Sequence, residues 1–338
     1  MTTRVTIHEV AAAAGVSVST VSKVMNGRYG IAPRTVDRVQ AVVRELGYES
    51  SLGARSIRSQ RSGVIGVLVP EIEPFSAEVL KGVSQVLHDT AYDLLAYSGS
   101  RQRGSEGWER RSLNRLSGSM IDGAILVTPT VVNVGVDIPV VAVDPHTGPA
   151  DLPTVESDSF AGAREAVRYL IDLGHERIGY VSGRADLRSS AAREAGYRKA
   201  LADAGIRPDP RLIVEGQYED RIVRRVARAL LQHSDRPTAV FAANDVSALA
   251  VIDTAVEMGL DVPRDLSVIG FDDIPEASRS LTRLTTVRQQ IQRVGAEATR
   301  MLLTLLEGQE PRATHIRLPT RLVPRATTAR VHAGVATD

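Results

Sequence analysis

From residue 63 onward, short apolar runs alternate with longer amphipathic stretches, and this alternation restricts the possible folds more than any other feature. The apolar runs have the length of buried strands and lie at residues 64–69, 94–97, 123–127, 140–144, 178–182, 239–242 and 268–271. The stretches between them carry apolar residues at helical spacing, at residues 77–90, 160–173, 190–204, 219–233, 246–258 and 289–306. Strands that alternate with helices form parallel sheets with helices on both faces. We therefore predict an α/β domain with doubly wound parallel sheets.

This part of the chain is long enough for two such sheets. The pattern changes from one half to the other near residues 156–159 and crosses back near residues 285–289 and 319–322. We therefore predict two lobes within residues 63–331. Lobe 1 would comprise about residues 63–157 and 289–319, and lobe 2 about residues 158–288 and 320–331.

The first 48 residues have a different pattern and predict three short helices. Thr6 and Glu9 have the spacing of a capping box, so a first helix should follow and end at Gly15. A second helix fits residues 18–25, and a third fits residues 33–46. A helix, a tight turn with glycine, a short helix and a third helix form a helix-turn-helix unit.

The second of these helices carries small polar side chains on the faces that its apolar residues leave free. A helix that reads DNA enters a major groove about 12 Å wide, so small outward side chains allow close approach. Residues 1–62 contain nine Lys and Arg residues against four Asp and Glu residues, which favours a polyanionic partner. From periodicity and charge alone, a helical hairpin with a solvated basic surface remains the alternative.

Three segments resemble the LacI/GalR family of bacterial transcriptional repressors: "VTIHEVAAAAGVSVSTVSKVMNG", "TVDRVQAVVRELGY" and "ARSIRSQRSGVIGVLVP". The resemblance continues through nearly the whole chain. It implies a DNA-binding headpiece at residues 1–48 and a hinge segment at residues 49–62. It also implies the DNA contacts: bases read by Val18, Ser19 and Lys23; phosphates contacted by Thr20, Ser22 and Asn26; and a minor-groove wedge at Ile57. We expect Arg55 in the hinge to bind DNA through its charge, independently of the base sequence. Lys23 stands where arginine is common in the family.

Polar residues follow most of the predicted strands, at Pro70-Glu71, Ser98, Asp144, Ser182-Gly183, Asn244-Asp245 and Asp272-Asp273. Any one of them could be a turn residue or a helix cap. Ligands of open α/β folds bind beyond the carboxyl ends of the strands. Because the polar residues recur in both halves, we expect a ligand-binding cleft there.

The resemblance implies a two-lobed effector domain like that of periplasmic sugar-binding proteins. The effector contacts that it implies are Phe75, Asp144, Arg193, Asn244 and Asp272, with Gln289 and Ile291 in the segment that closes the pocket. Two residues depart from the family pattern: Glu73 stands where asparagine is usual, and Ser76 replaces an aromatic residue. Asp, Asn and Arg bind vicinal hydroxyl groups, and an aromatic ring covers an apolar sugar face. We therefore expect a glycoside or a short oligosaccharide, with a purine as the alternative.

The sequence lacks the usual signatures of an enzyme or of a cofactor site. It has no cysteine, so disulfides and thiolate metal sites are excluded, and it has no Walker or dinucleotide-binding motif. Its seven histidines are scattered, and we interpret His175 as structural. The single tryptophan, Trp108, has helical spacing to Leu113 and Leu116, which favours packing over stacking on a sugar. We predict no cofactor and no catalysis.

Together these observations predict a repressor of sugar-metabolism genes that binds a pseudo-palindromic operator as a homodimer. The tail "TTARVHAGVATD" has no leucine heptad of the kind that makes tetramers in the family. We expect a cytoplasmic protein without a membrane partner, because we find neither a secretory signal nor an 18-residue apolar run. The rival interpretations are a sugar-binding protein that does not act on DNA and an α/β enzyme with an accessory DNA-binding domain. The sequence does not fix whether the effector releases or promotes DNA binding.

Overall fold

The computed structural model describes residues 5–25, 30–48, 61–99, 107–118, 120–130, 135–146, 152–279 and 283–331. The chain divides into two compact units. One comprises residues 1–62 with residues 118–120, and the other comprises residues 63–117 and 121–338. None of the helices within the described ranges is long and apolar enough to cross a membrane.

The described part of the first unit contains three helices: α1 (Ile7–Ala14), α2 (Val18–Met25) and α3 (Pro33–Leu46). The predicted capping box is confirmed, because the Glu9 carboxylate accepts a hydrogen bond from the Thr6 amide at 2.6 Å and the Glu9 amide donates to the Thr6 hydroxyl at 3.4 Å. Gly15 and Gly47 end α1 and α3 with left-handed backbone, at φ 62° and 61°. The three helices enclose a small core of buried residues: Val10, Ala11, Ala14, Val21, Val24 and Val39.

The second unit contains two six-stranded sheets. Their strands are β1 (Val64–Val69), β2 (Asp93–Ser98), β3 (Gly123–Val127), β4 (Val140–Val143), β5 (Thr154–Ser157), β6 (Ile178–Ser182), β7 (Ile213–Glu215), β8 (Ala239–Ala242), β9 (Ser267–Asp272), β10 (Thr285–Arg288), β11 (His315–Leu318) and β12 (Arg321–Val323). Lobe 1 has the order β11-β5-β4-β3-β1-β2, and lobe 2 has the order β12-β10-β9-β8-β6-β7. Every neighbouring pair is parallel except β10 and β12. The predicted fold class is confirmed.

Among the residues that the structure describes, eight α-helices accompany these strands: α4 (Pro74–Leu87), α5 (Trp108–Leu116), α6 (Ser159–Asp172), α7 (Arg188–Asp203), α8 (Asp220–Gln232), α9 (Asp245–Glu257), α10 (Pro275–Arg279) and α11 (Ile291–Leu306). The described chain passes between the sheets three times, after β5, after β10 and after β11. Helix α11 packs closely against α4, because a Cβ atom added at Gly82 would lie 1.8 Å from the carbonyl oxygen of Gln292. Glycine therefore permits a helix contact that brings α11 into lobe 1.

Two residues that the sequence singles out are structural. Trp108 is buried in a cluster on one face of the lobe 1 sheet together with Leu113 and Leu116, as predicted. The imidazole of His175 lies 2.9 Å from the Thr238 hydroxyl through Nδ1 and 3.0 Å from the Ala329 carbonyl oxygen through Nε2. Burial lowers its pKa, so the neutral ring ties β8 to the C-terminal segment.

Candidate functional site

A cleft lies between the two lobes at the carboxyl ends of their strands. Its volume is about 820 Å³, including the space that opens to solvent. It is lined by Pro70, Glu71, Glu73, Phe75, Thr128, Asp144, Arg184, Leu187, Ser189, Arg193, Gln217, Tyr218, Asn244 and Asp272. The predicted position of a cleft beyond the strand ends therefore agrees with the fold.

The cleft concentrates unusual backbone conformations. Seven residues other than glycine have a positive φ in the described chain, and five of them line the cleft: Thr128, Asp144, Gln217, Tyr218 and Asp272, with φ values of 46°, 50°, 54°, 61° and 120°. All five lie at or just beyond the end of a strand. Left-handed backbone is costly for such residues, and it persists where the surrounding structure requires it, commonly at functional sites.

Arg193 from α7 lines the cleft and is only 4% exposed. Its guanidinium group lies 3.9 Å from the centroid of the Phe271 ring and donates a hydrogen bond to the carbonyl oxygen of Ala243. Another guanidinium nitrogen is 3.5 Å from the Asp272 carboxylate. Burial alone would lower the pKa of Arg193, but Tyr218 and the nearby carboxylates raise it. Arg193 is therefore a fixed, charged donor between the lobes.

Two carboxyl groups face this guanidinium, one from each lobe. Asp144 follows β4 in lobe 1, and Asp272 ends β9 in lobe 2. Burial raises the pKa of Asp144 to about 6, although Arg193 acts in the opposite direction. Burial also raises the pKa of Asp272. Arg193 and a 2.6 Å hydrogen bond that the Gln289 side-chain nitrogen donates to Asp272 partly offset this increase. The pair can accept hydrogen bonds from a ligand, and its ionisation is sensitive to what binds.

Asn244 and Asp245 support the lobe 2 wall. Asn244 lines the cleft and also caps α9, because its side-chain oxygen accepts from the Ser247 amide at 2.9 Å. Asp245 is fully buried behind the wall and accepts from the Ile274 amide at 2.9 Å and from the Thr286 hydroxyl. Burial and the neighbouring Asp272 raise the pKa of Asp245. Asn244 therefore caps a helix and is also available to a ligand in the cleft, so the two interpretations of this residue are compatible.

Tyr218 is a lining residue that the sequence reasoning missed. It follows the three-residue strand β7 and packs over Gly183, where an added Cβ atom would lie 2.0 Å from the Tyr218 ring. Burial raises the pKa of Tyr218, so its hydroxyl group is a neutral donor. The only signal in the sequence is the pair Ser182-Gly183, which marks a strand end with room for a ring. The other lining residues that were missed are Thr128, Arg184, Leu187, Ser189 and Gln217.

Two polar contacts join the lobes beside the cleft. The Nδ1 atom of His146 in lobe 1 lies 3.3 Å from an Asp186 carboxylate oxygen in lobe 2. Burial lowers the pKa of His146 to about 4, so the contact is a neutral hydrogen bond at pH 7 rather than an ion pair. In the second contact, Arg188 of lobe 2 lies 4.0 Å from Glu156 of lobe 1.

The structure brings together five of the seven predicted effector residues: Phe75, Asp144, Arg193, Asn244 and Asp272. Gln289 does not line the cleft and reaches it only through its hydrogen bond to Asp272. Ile291 also lies outside the lining, because the first turn of α11 directs it into the lobe 1 core, where it is 5% exposed. Of the two departures, Glu73 lines the cleft, whereas Ser76 is buried within α4 away from it. The departure at Ser76 therefore does not change the lining of the cleft.

On the headpiece, α2 turns its apolar face to the core and leaves its polar side chains outward. Ser19 and Lys23 are exposed, and Val18, Thr20 and Ser22 are half-buried. The Ser17 hydroxyl accepts from the Thr20 amide at 3.1 Å and so caps α2. The remaining predicted DNA contacts, Asn26, Arg55 and Ile57, lie outside the described residues.

Comparisons with known proteins identify both parts of the chain. The family described as bacterial regulatory proteins, lacI family, matches residues 6–51, and a periplasmic binding protein-like domain matches residues 167–328. The HTH-type transcriptional repressor PurR of Erwinia tasmaniensis is 32% identical over 333 residues, which cover 96% of this chain and 97% of the relative. The chain belongs to the LacI/GalR family.

Two solved structures of this family are similar to the whole chain. The Lac repressor dimer bound to operator and the anti-inducer ONPF is 26% identical with a TM-score of 0.83, covering 97% of this chain and 100% of that one. The transcriptional regulator CelR in complex with cellobiose is 29% identical with a TM-score of 0.72, covering 96% of this chain and 100% of that one. The LacI-family chain is therefore a DNA-binding repressor with an effector-binding domain, and its relatives are transcriptional regulators.

Proposed function

We propose that this repressor controls genes of sugar metabolism and that a small sugar or oligosaccharide in the cleft sets its affinity for DNA. One observation carries the proposal: a buried arginine lies between two carboxyl groups contributed by opposite lobes. Vicinal hydroxyl groups both donate and accept, so a sugar satisfies Arg193 and the two carboxylates at once. Because Asp144 and Asp272 belong to different lobes, such a ligand would favour one arrangement of the lobes over another.

The aromatic lining also supports a sugar. Phe75 and Tyr218 offer ring surfaces to the cleft, and ring faces cover the apolar face of a pyranose. Asn244 adds an amide that can donate and accept at neighbouring hydroxyl groups. The similar CelR structure was solved with cellobiose, a disaccharide.

A purine is the second candidate, because the same cleft holds a Tyr218 ring that could stack on a base and an Asp272 carboxylate that could accept from a ring N–H. The 32% identity to repressors named PurR is compatible with this alternative. A purine would leave much of the hydroxyl-binding capacity of Arg193 and Asp144 unused, which is why we favour the sugar.

Thermal melting against mono- and oligosaccharides and purines at millimolar concentration tests the proposal. A ligand at about 100 times its Kd should stabilise the native state by about 2.7 kcal/mol. We expect at least one sugar to raise the melting temperature and the purines to leave it unchanged. A shift with purines alone would overturn the sugar assignment. Operator binding with and without the active ligand then identifies it as an inducer or a corepressor.

We further propose that the protein binds a pseudo-palindromic operator as a homodimer in the cytoplasm. A two-fold dimer presents two headpieces to two half-sites, and the similar Lac repressor structure is a dimer on its operator. Base reading would fall to Val18, Ser19 and Lys23, and phosphate contacts to Thr20, Ser22, Asn26 and Arg55, with Ile57 as the minor-groove wedge. A tetrameric mass by light scattering would contradict the dimer.

A further inference from the structure

A second chamber lies beside the cleft, on the side of the segments that connect the lobes. Its volume is about 480 Å³, including the space that opens to solvent, and it shares Asp144 and Ser189 with the cleft. Its other lining residues are Pro145, Glu156, Ser157, Asp158, Ser159, Phe160, Arg188, Ala192 and Arg317. The two shared residues make the chamber and the cleft neighbours, so a ligand that reached past Asp144 and Ser189 would occupy both.

The chamber has an ordered set of polar groups. The Glu156 carboxylate accepts from the guanidinium group of Arg317 at 2.7 and 2.8 Å and lies 4.0 Å from Arg188. Since Arg188 comes from lobe 2 and Glu156 from lobe 1, both lobes contribute. The chamber is lined by two arginines and by three carboxyl groups, those of Glu156, Asp158 and Asp144, so its charges do not favour an anion.

Two residues at the start of α6 lack the partners that their chemistry requires. The Ser159 side chain is 4% exposed, and its hydroxyl group has no hydrogen-bond partner among the described residues. The adjacent Phe160 is 39% exposed, although large apolar side chains are usually buried. A buried hydroxyl without a partner is costly, and an exposed ring is a surface for a ligand. A neutral ligand with hydroxyl groups and an apolar face would satisfy both residues.

We propose that this chamber is a second sugar subsite and that the effector is a disaccharide or a glycoside that spans both chambers. The inference rests on the proposed function, because it requires a sugar in the cleft. The first ring lies by Arg193 and Tyr218, the glycosidic bond passes Asp144 and Ser189, and the second unit lies by Phe160 between Arg188 and Arg317.

Calorimetric titration of the full-length protein tests the second subsite. The probes are cellobiose, maltose and lactose, each compared with its monosaccharides glucose and galactose. We expect at least one disaccharide to bind at least tenfold more tightly than its monosaccharides. Phe160→Ala should remove at least fivefold of that preference and leave monosaccharide affinity unchanged. Val256→Ala, which shortens an exposed apolar side chain outside both chambers, is the matched control and should change neither affinity.

The results separate the two proposals. Binding of no sugar by the wild-type protein overturns the sugar effector, and the second subsite with it. Equal affinity for a disaccharide and its monosaccharides, or an equal loss of both in Phe160→Ala, overturns the second subsite but keeps the sugar effector. Phe160→Leu keeps an apolar side chain without the ring and guards against a folding defect in the alanine variant. We expect Phe160→Leu to lose the disaccharide preference while its melting temperature stays at the wild-type value.

Discussion

At the scale of single residues, Asp144 connects ligand binding to protein stability. Burial raises its pKa from 3.8 to about 6, so the folded protein holds a proton that the unfolded chain releases. The contribution of Asp144 to the free energy of unfolding is therefore fully present below about pH 4, and it is lost as the pH rises through about 6. A shift of about two pKa units corresponds to roughly 3 kcal/mol, a large share of the stability of an ordinary domain.

Replacing this carboxyl by an amide should stabilise the empty protein and weaken effector binding. We expect Asp144→Asn to melt several degrees above the wild type at pH 7.5, because the amide carries no charge to bury. The difference should disappear near pH 4, where Asp144 is protonated. Melting curves across this pH range measure the effect, with the exposed Asp137→Asn as control. A lower melting temperature at pH 7.5 would contradict the assigned cause of the pKa shift.

Lys23 is the residue on α2 whose loss should change sequence preference. It is exposed, so Lys23→Ala should not affect the headpiece core. We expect a loss of about 1–3 kcal/mol on the operator and relaxed specificity at one base pair per half-site. Binding to a library of operator variants measures both. Arg38→Ala, an exposed basic residue on α3, is the control and should leave the base preference unchanged. Equal losses on all sequences from Lys23→Ala would contradict base reading.

At the scale of elements, the turn after β6 positions the aromatic wall. Gly183 has no left-handed backbone, so alanine is compatible with its main chain, but an added Cβ atom would meet the Tyr218 ring. We therefore expect Gly183→Ala to displace Tyr218 and to weaken effector binding by about tenfold or more. Gly259→Ala is the control: its φ is +81° and nothing lies within 4 Å of an added Cβ atom. It should cost about 1 kcal/mol of stability and leave effector binding unchanged.

If Gly183→Ala bound the effector as tightly as the wild type, Tyr218 would not contribute to the site. Titration calorimetry measures the affinity of both glycine variants, and thermal melting measures their stability.

The elements that the sequence predicts best are those with a full apolar run. Strands β1, β3, β6 and β8 begin and end at the predicted residues, because strands buried on both faces need no polar alternation and give a short, mainly apolar run. The sequence pattern does not predict β5 or β7 as strands. They have the sequences Thr-Val-Glu-Ser and Ile-Val-Glu, which are too short to show a strand pattern, so pairing with neighbouring strands makes them strands.

The site is predictable where its residues lie at or just after the ends of predicted strands, as Asp144 and Asn244 do. Tyr218 was not predicted as a site residue because β7 is too short to be recognised as a strand. The polar segment around Tyr218 also has the composition of a surface turn. Ile291 was misplaced because a sequence gives the order of residues along α11 but not the rotation of the helix about its axis. That rotation is set by the close contact between α11 and α4 at Gly82.

At the scale of the whole molecule, the two units should unfold separately. The headpiece core consists of six buried side chains, whereas the effector domain has four larger clusters. A ligand stabilises only the unit that binds it. We therefore expect two calorimetric transitions, of which a cleft ligand raises only the one from the effector domain. Operator DNA should raise the headpiece transition in the same experiment. A single transition that a cleft ligand raises as a whole would contradict this independence.

The left-handed backbone at the cleft also limits how such a protein can change its ligand over evolutionary time. At Thr128, Asp144, Gln217, Tyr218 and Asp272, a substitution must be compatible with the backbone before it can serve a new ligand, and few residue types are. The other walls carry no such restriction: Glu73, Phe75, Leu187 and Ser189 have ordinary backbone. New ligand preferences should therefore arise first at these four positions, while the strained residues persist through successive changes of specificity.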